Sequence, residues 1–315
     1  MPSSLAAEIL GAIATGLRNR GFDEGFDDAG PREERSFEVG SFDRLDIAGP
    51  FDVEVRTGEE HAVEAEGPEE ALQALSVTNE DGCLVIGCQG RHADEISILI
   101  TMKQLRDATL SGSGDVSIDR VKGNAFECAN CGSGDLSVDE IDVETYHLSV
   151  TGSGDVQIDR VRASRAKVLM AGSGDLAADV IEAPQFELTM NGSGDAQVDE
   201  FCGERIETVL TGSGDLSLGL VNADKLKLSI FGSGDVEIGG GNIKTAEFTT
   251  SGSGDISAED TEFAVAQISI CGSGDMSLCI TESADISVMG SGDVSIVGGA
   301  ECNIRGNGSG EVSCS

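Results

Sequence analysis

The tetrapeptide Gly-Ser-Gly-Asp returns ten times, beginning at Gly112, Gly132, Gly152, Gly172, Gly192, Gly212, Gly232, Gly252, Gly272 and Gly290, and an eleventh copy at Gly308 ends in Glu311. The first nine copies start 20 residues apart and the last two steps are 18. A fixed period in this range makes each repeat one structural unit that must stack on its neighbours to bury its apolar face. The repeat therefore favours one elongated body over separate compact domains.

Between motifs the residues alternate. After a motif come apolar pairs such as Val116/Ile118, Leu136/Val138 and Val156/Ile158; before the next come triplets such as Tyr146/Leu148/Val150 and Phe186/Leu188/Met190. Period two is the signature of a strand with one buried face. Two such strands per period, joined by corners in register, predict an all-β fold: a right-handed parallel β-helix, or solenoid, with about 20 residues per coil. Its handedness follows that of parallel crossovers, and at about 4.8 Å per coil, eleven coils make a rod on the order of 50 Å long.

The regular β-helix spans 111–315, and degenerate β repeats precede it over 37–110. In that part Gly49-Pro-Phe-Asp-Val-Glu-Val55 aligns with Gly112-Ser-Gly-Asp-Val-Ser-Ile118 and sets Asp52 at the motif Asp. Asp81-Gly82 reads as a turn before a strand from Cys83 to Ile86, and Pro68 to Leu75 suits a helix. Upstream, Leu5, Ile9, Ile13 and Leu17 stand four apart, as on a short amphipathic helix within residues 1–20 that could cap the stack. Residues 21–36 read as an acidic linker.

Stacked corners place Asp115, Asp135, Asp155, Asp175, Asp195, Asp215, Asp235, Asp255, Asp275 and Asp293 in one column. Carboxylates about 5 Å apart repel by roughly 1 kcal/mol per pair in bulk water, more at lower dielectric. Gly and Ser N–H donors of the turn, raised pKa values or bound cations could offset this. Calcium is the sharp alternative, since it takes six to eight oxygen ligands. Calcium-binding nonapeptide β-rolls carry their motif twice per coil, however, and here it occurs once, so the structural turn role is favoured and no cofactor is expected. The glycines should supply positive φ and close backbone approach at each corner. A second column, Asp119, Asp139, Asp159, Asp179 and Asp199, runs beside Arg120, Glu140, Arg160 and Glu200, whose alternating signs suggest pairing across coils.

With 57 acidic and 20 basic side chains, the net charge of −37 opposes binding to nucleic acid. No run approaches the roughly 18 apolar residues of a spanning helix. No export signal is evident, because Met1 to Arg20 lacks a basic start and Glu8 interrupts its apolar stretch. The nine cysteines show no disulfide framework and lean toward a reducing compartment. Cys128 and Cys131, three apart on a strand, should face opposite sides. His61, His92 and His147 are scattered, and acid pairs such as Asp115/Asp119 recur monotonously, whereas a catalytic site breaks a repeat at one place. No catalytic residues are assigned.

The run of Gly-Ser-Gly-Asp-(Val/Ile/Leu)-x-(Val/Ile/Leu) units behind Phe42-Asp-x-Leu-Asp-Ile-Ala-Gly-Pro-Phe-Asp-Val-Glu-Val55 resembles the auto-transporter adhesin family, head GIN domain, over roughly residues 37 to 315. The resemblance implies a bacterial β-helical head displayed outside the cytoplasm, mediating adhesion and without catalytic residues. The expected function is a non-enzymatic, adhesin-like binding or structural module. An intracellular, oligomerising scaffold and a polysaccharide-acting β-helix enzyme are the alternatives. Partners would be an unidentified protein or polysaccharide, with self-association through the ends. The resemblance places the chain at the cell surface or outside the cell; the missing export signal points to the cytoplasm instead.

Overall fold

A computed structural model of the chain describes residues 31–306 and 308–315. The amphipathic helix expected within 1–20 and most of the linker lie outside these residues. The described chain is a parallel β-solenoid of about 10 turns with roughly 20 residues per coil.

The first part is a lid followed by the opening coils. Its elements are β1 (Arg32–Phe37), β2 (Arg44–Ala48), β3 (Asp52–Thr57), β4 (Ala62–Pro68), helix α1 (Glu69–Ala74), β5 (Leu75–Glu80), β6 (Cys83–Cys88), β7 (Ser97–Met102) and β8 (Asp107–Leu110). Strands β2 and β3 lie parallel to β6 and β7 on one side and to β8 and the following coil on the other, so they form a true coil. Strands β1, β4 and β5 pair antiparallel and cover the outer edges of β7 and β6. Two expectations change here. Residues 32–36, assigned to the linker, are strand β1, because pairing with β4 satisfies their backbone; residues 37–110 are only partly repeats, because antiparallel strands replace coils at the stack's end. The Asp81-Gly82 turn holds, with φ of 51° and 84°, as a two-residue hairpin between β5 and β6 requires.

From Val116 the coils are regular: β9 (Val116–Asn130), β10 (Leu136–Val150), β11 (Val156–Met170), the pair β12 (Leu176–Glu182) and β13 (Gln185–Met190), then β14 (Ala196–Leu210), β15 (Leu216–Ile230), β16 (Val236–Thr250), β17 (Ile256–Ile270) and β18 (Met276–Val288). Partners stand 20 residues apart in parallel, as Leu136↔Val156 and Val150↔Met170 do. Pro184 has no N–H to give the ladder, and it separates β12 from β13. The shorter last periods are absorbed within β18, whose register against β17 shifts between Ala258/Glu262 and Phe263/Val265.

Each coil has three inward faces where the alternation shows only two. In β10 the buried positions are Leu136 and Val138, then Ile141 and Val143, then Tyr146, Leu148 and Val150. Two adjacent outward residues, Asp139-Glu140 and Glu144-Thr145, turn the strand at each bend, so the inward step there is three instead of two. Inside, Phe126 stacks on its register partner Tyr146 with ring centroids 5.8 Å apart, while Phe186 meets Phe201 at 5.7 Å and Phe248 meets Phe263 at 5.3 Å between different faces of successive coils. Each such fully buried side chain contributes about 1.5–3 kcal/mol.

The far end is the coil of β19 (Val294–Val297), β20 (Glu301–Gly306) and β21 (Val312–Cys314). Strand β20 pairs with β18 and β21 with β19. Here Cys302 and Cys314, at positions stacked on buried Ala284 and Ile296, form a disulfide with a Cα separation of 6.7 Å. The other seven cysteines are free; these two meet because both point into one coil, a closeness that their spacing of 12 residues does not announce.

Candidate functional site

The Gly-Ser-Gly-Asp corner is built by three hydrogen bonds per coil. The Ser133 N–H donates to the Gly112 carbonyl at 3.0 Å, and the Ser153 N–H to that of Gly132 at 3.0 Å. The residue after each Asp bonds forward, as Leu136 N–H does to the Asp155 carbonyl at 2.8 Å. Between them the Asp N–H donates to the side chain of the preceding Asp: Asp135 N to Asp115 Oδ1 at 2.9 Å, Asp155 N to Asp135 Oδ1 at 2.8 Å. The same bond recurs at Asp175, Asp195, Asp215, Asp235, Asp255, Asp275 and Asp293.

All ten column aspartates are therefore brought together as one ladder. It begins one coil earlier than the perfect motif, since Asp115 N–H donates to Asp52 Oδ1 at 3.1 Å, and it closes where Glu311 N–H donates to Asp293 Oδ1 at 2.7 Å. Each bond puts a partial positive charge against a carboxylate, which offsets the column's repulsion. Burial raises the Asp135 carboxyl, the Asp155 N–H pulls it down, and the neighbouring Asp115 and Asp155 charges push it up. Among the described residues no group of three or more His, Cys, Asp or Glu side chains is placed to hold a metal ion.

The corner glycines are required by proximity. A Cβ on Gly132 would overlap the Gly112 carbonyl oxygen, and one on Gly134 that of Gly114. No motif glycine has positive φ, so the expected left-handed corner is not what selects them. Coils stacked one strand spacing apart leave no room for a side chain where the backbone turns inward.

Beside the corners an open groove of about 780 Å³ runs across five coils, lined by Ser111, Ser113, Ser133, Ser153 and Ser173 with Gly49, Pro50 and the intervening glycines. Its outward neighbours change from Cys131 and Thr151 to the exposed Phe231 and Met289 farther along.

The second acidic column is also stacked. Asp119 accepts from the N–H and hydroxyl of Thr57 at 2.9 and 3.0 Å. Asp139, Asp159 and Asp179 are pushed above the usual carboxylate range, first by burial and then by their neighbours' charges. Of the expected cross-coil pairs, Arg120 meets Glu140 at 2.7 Å. Arg160, with Glu140 on one side and Val180 on the other, instead reaches Glu182 at 2.9 Å, shared with Arg162 at 3.0 Å, while Glu140 is engaged by Arg120. Sequence reasoning missed Glu182, which lies past the bend.

The remaining candidates stay apart. His147 lies on β10, His92 bonds Glu95 through Nδ1 at 2.8 Å, and His61 packs edge-on against Phe42 at 4.9 Å. Cys128 is buried, which pushes its thiol up to about 12, while Cys131 is exposed, so the two do face opposite sides.

The family model described as "Putative auto-transporter adhesin, head GIN domain" matches residues 41–200 and 187–300. Among curated proteins none matches the sequence. A solved "putative adhesin" from Bacteroides fragilis NCTC 9343, 18% identical, covers 72% of this chain and 96% of its own with a TM-score of 0.55, a likeness of fold. A second, from Parabacteroides distasonis ATCC 8503, is 19% identical over 90% of this chain and 96% of its own, with a TM-score of 0.37.

Proposed function

The chain belongs to this head GIN domain family, and from that membership we propose that it is a non-enzymatic, adhesin-like binding module that works at the cell surface. The carrying observation is the unbroken repetition of the outward surface. Hydroxyls recur once per coil along an open groove, and carboxylates once per coil in the aspartate ladder, instead of converging on a closed pocket. Small substrates need concave sites that enclose them. A long partner with its own repeat, a polysaccharide or an extended protein segment, suits a ladder of groups about 4.8 Å apart. The Cys302–Cys314 disulfide favours an oxidising setting. Among the described residues no helix is long and apolar enough to cross a membrane.

For the aspartate ladder the proposed role is structural, with each carboxylate serving as acceptor for the next coil and no calcium required. Binding is tested by passing the purified chain over immobilised polysaccharides and extracellular-matrix proteins. Saturable binding to one class, weakened when Ser133→Arg and Ser153→Arg fill the groove, is expected. Shortening of a polysaccharide by the purified chain would replace this reading with an enzymatic one.

A further inference from the structure

We propose that strand β20 is a self-complementary edge through which two copies of this chain join end to end. Among the described residues β20 pairs only with β18, so one row of its backbone N–H and C=O groups is unpaired, a template for another strand. Its inward residue Ile304 stacks on buried Ile286 yet is 50% exposed, with no coil over it among the described residues. The outward residues are Glu301, Asn303 and Arg305, all exposed, and neither Glu301 nor Arg305 has an ionic partner among the described residues.

An antiparallel pairing of β20 with its own copy, centred on Asn303, sets Glu301 against Arg305 of the second copy and Arg305 against Glu301. Asn303 then faces its own copy. Directly opposed charges on antiparallel strands attract, and like charges repel. The inward residues fall equally well into place, with Ile304 of each copy covered beside the disulfide-bonded Cys302 of the other. A slip of two residues in either direction loses both ion pairs, so the sequence selects one register. The symmetry is a two-fold, which closes at a dimer. One coil end is a small interface, so the association is expected to be weak, in the micromolar range. This inference is independent of what the corner groove binds.

Sedimentation equilibrium of the intact, oxidised chain tests it. The wild type should show a monomer–dimer equilibrium, and Glu301→Lys or Arg305→Glu alone should raise the dissociation constant about tenfold. Mixing the two variants should restore association, because both opposed pairs of the mixed dimer then carry unlike charges, and the double reversal in one chain should restore it too. A wild type that stays monomeric at high micromolar concentration overturns the proposal. So does a dimer that both single variants form as readily as the wild type.

Discussion

Each motif aspartate gives Oδ1 to the N–H of the next, so what matters at that position is an acceptor and not a charge. Asp195→Asn should leave the melting temperature nearly unchanged, since an amide oxygen still reaches the Asp215 N–H. Asp195→Ala leaves that exposed donor to water and should cost about 0.5–1.5 kcal/mol. Chelator should change neither melt; calorimetry showing several calcium ions bound per chain would contradict the structural role. The neighbouring column adds a pH dependence. Asp139, Asp159 and Asp179 have folded-state pKa values raised above the unfolded ones, so their contribution is most favourable below the unfolded value and is lost as pH rises through the folded values. The triple Asp→Asn variant should therefore melt higher than the wild type at neutral pH, and the difference should vanish on acidification. Thermal melts across the carboxylate range read this directly. At this scale the sequence was most legible, because repetition of one tetrapeptide located ten rungs and its degenerate copy Gly49-Pro-Phe-Asp52 located one more. The donor to each carboxylate was not, because the motif suggests the turn's own Gly and Ser N–H groups or a cation as readily as the N–H of the next coil's Asp.

The elements were legible wherever alternation ran in steps of two. Leu136/Val138 and Tyr146/Leu148/Val150 declare their strands, but Ile141/Val143 is offset by the three-residue steps at the bends and escapes a period-two reading. The same bends hid the Arg160–Glu182 pair. The lid formed by β1, β4 and β5 left no repeat to follow, since antiparallel pairing answers to edges and not to a period. Register nevertheless follows the period. Deleting Gly172 to Asn191 removes one full coil, together with the Pro184 interruption, and should leave a folded, cooperatively melting rod. Deleting ten residues carries the inward positions downstream out of line and should abolish cooperative unfolding. Equal behaviour of the two deletions, measured by circular dichroism during heating, would count against stacked coils.

Over the described residues the molecule is a rod whose two ends differ: antiparallel strands close one, while a disulfide spans the other beside an exposed Ile304. Because repeat units contact mainly their neighbours, reducing Cys302–Cys314 should loosen the last coil locally. Hydrogen exchange should quicken in β20 and β21 and stay unchanged in β9 to β14. The length of the rod is set by the number of periods, at one strand spacing each. Duplicating Gly132 to Thr211 adds four periods, and small-angle X-ray scattering of the longer chain measures the consequence. The rod should lengthen by about 19 Å with its cross-section unchanged; a thicker particle, or one no longer than the wild type, would contradict the stacked-coil account.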